Sequence, residues 1–196
     1  MWKKKCVRVN PPVRISSFRL GKVGILNIFF LHSEPKAAAK DACDRHSIKM
    51  ILESAQMLST VLRQHGYEGD DIYGMTHVKH PSTIWASMNR DNFNWLLSHA
   101  FALCEEYQYR YGKVHKSKAI LERCDDLCDF YIPKGLLTVP PKCMGDEFKV
   151  GGEDWESVVA SYRKYYREGK TYMNRGNGPQ WRKKPERCPS WFSSSA

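Results

Sequence analysis

Apolar positions recur at three- and four-residue intervals over most of this chain, a period that predicts helices rather than strands. The strongest run extends from about Cys43 to Arg63 and stops before Gly66; a second runs from about Arg90 to Tyr111 and is ended by Gly112. Ser33 is a candidate N-cap for a short helix with Pro35 in its first turn, and Pro81 starts a helical turn that includes Ile84 and Trp85. Further helices are expected over Ser117 to Leu127 and Glu153 to Glu168. The apolar segment Gly24 to Leu31 reads as a strand or an extended piece threading the core. Residues 132–152, rich in Pro and Gly, read as a long loop, and Gly169 onward as coil. The class is mostly α: a compact helical domain over residues 23–170, a basic arm over 1–22 and a basic, aromatic tail over 171–196.

The helix from Cys43 carries the most chemical information. At 100° per residue, His46, Lys49, Glu53, Gln56, Thr60 and Arg63 share roughly one hundred degrees of its circumference. Apolar residues, Ile48, Ile51, Leu52, Ala55, Leu58 and Leu62 among them, cover the rest. They are expected to be buried against Trp95, Leu96, Ala100, Phe101, Leu103 and Cys104 of the second long helix. A polar wedge on so apolar a helix can line a cleft with a carboxylate and an imidazole two turns apart. It also fits a solvated stripe with a Glu53–Lys49 pair. Asp41 and Asp44 precede the helix, where a carboxylate can cap free N–H groups.

Charge changes this picture. Of the 196 residues, 31 are Lys or Arg and 21 are Asp or Glu, a formal +10. Residues 1–22 carry +7 and residues 160–191 carry +7, so the stretch between them sums to −4. An acidic centre between two basic ends is an electrostatic footprint for a polyanion. Near the C-terminal end the cations interleave with rings: Arg163, Lys164, Tyr165 and Tyr166, then Trp181, Arg182, Lys183 and Lys184. Cations meet phosphates and aromatic faces stack on unpaired bases; the same pattern also fits an amphipathic helix with exposed cations. No run of about 18 apolar residues exists, so no membrane partner is expected. Seven scattered cysteines suit a soluble protein in a reducing compartment.

Loop and helix-end histidines supply the remaining candidates. His77 and His80 lie three apart in Thr76–Pro81, and His115 follows the aromatic run that contains Arg110. These spacings match no zinc signature, so neither metal nor cofactor is assigned. Motifs for phosphate-binding loops, dinucleotide folds, serine hydrolases and metalloproteases are absent.

Four blocks span most of the chain: LNIFFLHSEPKAAAKDACDRHSIKMILESAQMLST, THVKHPSTIW, CEEYQYRYGKVHKS and YRKYYREGK with a tryptophan near the end. As a set they resemble a family of small, mostly uncharacterised proteins of phages and large DNA viruses. More distantly, the chain is similar to the endonuclease V type of pyrimidine-dimer DNA glycosylase, a compact all-α enzyme of DNA repair. Asp44-Arg45-His46 and Glu53 keep that family's Asp-x-His and its Glu seven residues on, and Tyr162 to Lys170 is similar to its aromatic, basic C-terminal run. The resemblance implies that Glu53 is the catalytic carboxylate, that His46 lines the DNA cleft and that Tyr165 and Tyr166 lie near the damaged base. It also implies a nucleophilic α-amino group at a chain start that corresponds here to about Leu26-Asn27, well after Met1. The arginine that the family carries before its Glu is replaced by Leu52.

The leading expectation is therefore a hydrolase of DNA-glycosylase type, acting on a damaged or modified pyrimidine in the cytoplasm or nucleoid of an infected host cell. His77, His80, Trp85, Arg110 and His115 are expected to complete its pocket, and Arg163, Lys164, Arg182, Lys183 and Lys184 to bind backbone phosphates. The alternatives are a viral enzyme for nucleotides or modified bases, and a noncatalytic nucleic-acid-binding protein.

Overall fold

A computed structural model of the chain describes residues 27–193, and the basic arm over 1–22 lies outside them. The fold is mostly α. Six helices form its frame: α1 (Pro35–Asp41), α2 (Asp44–Gln64), α3 (Pro81–Met88), α4 (Arg90–Tyr111), α5 (Lys118–Tyr131) and α6 (Trp155–Lys164). The two long ones, α2 and α4, pack side by side as expected, with α1, α3 and α5 against them. Gly112 ends α4 in the left-handed region at φ 67°, a conformation that a side chain disfavours. Among the described residues no helix is long and apolar enough to cross a membrane.

Residues 27–30 form no regular element. They thread the core, with Ile28, Phe29, Phe30 and Leu31 all buried and the Leu31 amide turned back onto the Phe29 carbonyl. Four consecutive buried residues break the in–out alternation of a half-buried strand, so this apolar run reports threading rather than sheet. Phe30 packs between Trp85 and Trp95, with ring centroids 5.4 and 4.8 Å away.

Three local expectations need correction. The cap of α1 is Glu34, not Ser33, because its longer carboxylate reaches two free amides, those of Lys36 and Ala37. Cys43 caps α2 without a side-chain bond. Asp41 and Asp44 instead serve long-range contacts, receiving the Trp191 indole N–H and the Lys183 amide respectively. Ile48 and Leu52 are both 39% exposed, whereas Ile51, Ala55, Leu58 and Leu62 are fully buried. The helix is rolled so that Glu53, not Leu52, faces inward.

The C-terminal residues are not a loose coil. Helix α6 passes into a π turn, Tyr165–Gly169. The chain then folds back over the α1–α2 corner. The Asp44 amide donates to Gln180, the Trp181 indole donates to the Asp41 carbonyl, and Arg187 pairs with buried Glu106. Trp181 and Met173 are buried, so this stretch belongs to the same core.

Candidate functional site

The N-terminal half of α2, the threaded segment, the start of α3, the loop over 142–145 and the chain after the π turn enclose a cleft of about 750 Å³. Glu53 lies within it, only 5% exposed. One carboxylate oxygen accepts the Asn27 amide N–H at 3.0 Å and the other meets the Lys49 ammonium at 2.6 Å. Burial pushes the carboxyl pKa up, while Lys49, the Asn27 amide and the more distant His77 pull it back. A carboxylate raised in this way is a better proton acceptor than a solvated one.

Asn27 is itself held in place. Its side-chain amide donates to the Cys143 carbonyl at 2.9 Å, and its side-chain oxygen accepts the Ile28 amide at 2.8 Å. These bonds aim the Asn27 main-chain nitrogen at Glu53.

His46, one wall of the cleft, is stacked on Phe29 with centroids 4.3 Å apart and planes 14° apart. Burial lowers its pKa to about 3, helped by the charges of Lys170, Lys49 and Arg45, so the imidazole is neutral at physiological pH. The mouth is cationic: Arg45, Lys49, Lys142 and Lys170 all line it. Lys142 is fixed by the carbonyls of Val150 and Gly152. Lys170 sits 4.4 Å from the Tyr165 ring centroid and donates to the hydroxyls of Tyr165 and Tyr172. A buried carboxylate thus lies inside a ring of positive charge with aromatic walls.

Of the residues singled out from sequence, Glu53, His46, His80 and Tyr165 line this cleft together. His80 also caps α3, its Nδ1 accepting the Ser82 amide, and burial lowers its pKa with help from the His77 charge. His77 is exposed and outside the lining; its backbone takes the left-handed conformation, φ 51°, and its ring bonds the Thr76 hydroxyl at 2.7 Å.

The other candidates lie elsewhere. Trp85 is core, its indole donating to Thr138. Arg110 is buried and holds the carbonyls of Lys40 and Ala42 and the Glu106 carboxylate, so it braces the α1–α2 corner. His115 accepts the Ser117 amide in the turn ahead of α5 and lines a separate, smaller pocket. Tyr166 is buried behind His46, and Arg163 and Lys164 face a second cleft on the other side of α6. Arg182 and Lys183 are exposed and Lys184 half-buried; Lys183 and Lys184 lie over the rings of Tyr111 and Tyr109. Among the described residues no three His, Cys, Asp or Glu side chains are placed to hold a metal ion.

Sequence reasoning missed Asn27, Phe29, Arg45, Lys142, Lys170 and Tyr172. Asn27 carried a signal, a polar residue inside an apolar run; Lys142 carried none, because its place depends on how the loop returns. No family model matches the chain, and no curated protein or solved structure matches it significantly.

Proposed function

We propose that the chain is a DNA-processing enzyme of glycosylase type that releases a damaged or modified pyrimidine, with Glu53 as its catalytic carboxylate. The observation that carries this reading is the buried, pKa-raised Glu53 inside a mouth of four cations. Phosphates flanking the target nucleotide pair with Arg45, Lys142 and Lys170. The extruded pyrimidine enters beside Tyr165 and Tyr172, whose ring faces replace the lost stacking.

Glu53 then takes a proton from a water whose oxygen bonds to the sugar C1′. The C1′–N bond breaks, its electron pair leaves with the base, and the base gains a proton. Electrostatically, the carboxylate also favours the positive charge that develops on the sugar. The main-chain nitrogen beside Glu53 is the Asn27 amide at 3.0 Å, whose lone pair is delocalised into the peptide; the Lys49 nitrogen is nearer, at 2.6 Å, as the ion-pair partner of the carboxylate. An amide does not form an imine, so the α-amino chemistry of the resembling family has no nucleophile at the Asn27 position, and the proposed step is hydrolysis. The site of action is the DNA of an infected host cell.

The test is incubation with duplexes carrying a thymine dimer, uracil or another modified pyrimidine. Base release is expected from at least one and is lost in Glu53→Gln while DNA binding persists. No release from any of them overturns the proposal. The cationic mouth also favours a noncatalytic nucleic-acid-binding protein. That reading predicts no base release and binding whose salt slope falls by roughly 0.9 for each phosphate contact removed at Arg45, Lys142 or Lys170.

A further inference from the structure

A second cleft, of about 550 Å³, lies across α6 from the first. Ala160, Arg163 and Lys164 of α6 and Arg167 of the π turn line it, whereas Tyr165 lines the first cleft. His32 and the half-buried indoles of Trp155 and Trp191 complete its walls. Three cations stand within two turns, against the exposed Glu156 and Glu168.

The guanidinium of Arg163 is fixed in orientation. Its Nε donates to the Leu31 carbonyl at 2.9 Å, and its Cζ lies 5.1 Å from the Trp191 ring centroid. Asp41 is 3.8 Å away, too far for a close pair, and is shared with the Trp191 indole N–H. Arg167 donates to the Trp191 carbonyl at 3.2 Å and Lys164 to the Glu147 carbonyl at 2.7 Å, both neutral partners. Burial lowers the Arg163 pKa, Asp41 opposes this in part, and the Arg167 charge lowers it further. A ligand anion relieves that repulsion, and oriented guanidinium groups suit phosphate oxygens.

We propose that this cleft is a second nucleotide-binding site, separate from Glu53, which takes a phosphate on Arg163, Lys164 and Arg167 and a base against Trp155 and Trp191. Its ligand chemistry is a phosphorylated nucleoside, either free or as one unit of a polynucleotide. The site goes beyond the proposed base-release reaction and does not depend on it.

Binding is read by calorimetry and tryptophan fluorescence on the full chain, with thymidine monophosphate, thymidine, inorganic phosphate and a short single-stranded oligonucleotide. The first cleft is silenced in every arm by Glu53→Gln with Arg45→Gln and Lys142→Gln. The monophosphate or the oligonucleotide, or both, is expected to bind at least tenfold more tightly than thymidine and to quench fluorescence; which of them binds identifies the source. Lys164→Gln with Arg167→Gln is expected to weaken that binding at least tenfold. Ala160→Glu, which places a carboxylate in the cleft without touching the cations, is expected to do the same and serves if the double variant fails to fold. Thymidine binding as well as either phosphorylated ligand, or phosphorylated ligands indifferent to these changes, overturns the site. Base release by the otherwise unaltered chain is measured alongside, so that loss of one proposal is told apart from loss of the other.

Discussion

His46 Nδ1 and the Tyr166 hydroxyl lie 2.5 Å apart in a buried contact behind the first cleft. The phenol also accepts the Cys43 amide N–H at 3.3 Å, and the Cys43 sulfur lies 3.6 Å from it. The hydroxyl proton therefore has two acceptors, of which the imidazole nitrogen is the nearer and the better. With Nδ1 accepting, the neutral ring carries its proton on Nε2. Tyr166, expected from sequence to lie near the target base, instead fixes the tautomer of the histidine that lines the cleft.

Tyr166→Phe tests this relationship. It leaves the ring packing but removes the hydroxyl, so Nδ1 and the Cys43 amide lose a buried partner, at a cost of about 1–3 kcal/mol. Nitrogen chemical shifts of His46 are expected to move from a single Nε2–H tautomer to a mixture. Unchanged shifts would remove the positioning role.

The frame was legible because helical periodicity survives in single residues: α4 begins and ends where the pattern and Gly112 place it. The inward turn of Glu53 was legible in part, as a carboxylate on a largely apolar helix. What periodicity cannot give is the rotation of that helix, since Leu52 and Glu53 are neighbours and either can face the core. Arg110 and His115 were misplaced for a related reason. A cation or imidazole near a helix end serves carbonyls and caps as readily as a ligand, and the sequence of that end is the same in both cases. The C-terminal strap was hidden because its bonds to Asp41, Asp44 and Glu106 all span long stretches of chain.

The rotation of α2 gives a direct comparison. Leu58→Ala empties a fully buried site and should cost about 2–5 kcal/mol. Leu52→Ala, at a position 39% exposed, should cost under about 1 kcal/mol. Denaturant midpoints measure both, and equal losses would contradict the observed orientation.

Among the histidines whose pKa burial lowers, the two most deeply buried, His46 and His99, should dominate acid stability. His46 titrates at about 3 and His99, buried and stacked on Trp95, at about 4, each lowered chiefly by burial. Between these values and the ordinary 6.5 the unfolded chain binds more protons, so stability falls as pH drops below about 6.5. Glu53 acts in the opposite sense: its raised pKa makes stability fall as pH rises through the range above 4.5. Melting curves between pH 7 and pH 5 should show a net loss, and His99→Leu should shrink it. A loss unchanged by that substitution would assign the effect elsewhere.

Glu106 is expected to be the most sensitive charge in the frame. It is 5% exposed and pairs with Arg110 at 3.0 Å and with Arg187 of the returning strap at 2.9 Å. Glu106→Ala leaves the buried Arg110 guanidinium only the more distant Asp44 carboxylate, at 3.5 Å, and costs up to about 3–5 kcal/mol. Arg187→Ala leaves Arg110 paired and should cost less while loosening the strap, which limited proteolysis after Trp181 would detect. Equal costs would mean that Glu106 does not join the two.

The contact between Asn27 and Glu53 supports a gain-of-chemistry experiment. In the full chain the nitrogen 3.0 Å from the carboxylate is an amide and cannot attack C1′. A chain released from a cleavable fusion so that Asn27 is its first residue carries an amine at that place. An α-amino group has an ordinary pKa of about 7.7–8.0, so Glu53 can take its proton and expose the lone pair. The amine nitrogen then bonds to C1′, the base leaves with the C1′–N electron pair, and the sugar ring oxygen departs to give an iminium. Borohydride reduces that iminium to a stable secondary amine, seen as a covalent protein–DNA adduct. The shortened chain is expected to give the adduct with the duplex from which the full chain releases a base, and the full chain to give none. An adduct from the full chain would place another amine, Lys49 or Lys170, in reach of C1′. None from a shortened chain that still folds and binds DNA would show that the nitrogen beside Glu53 does not meet the sugar.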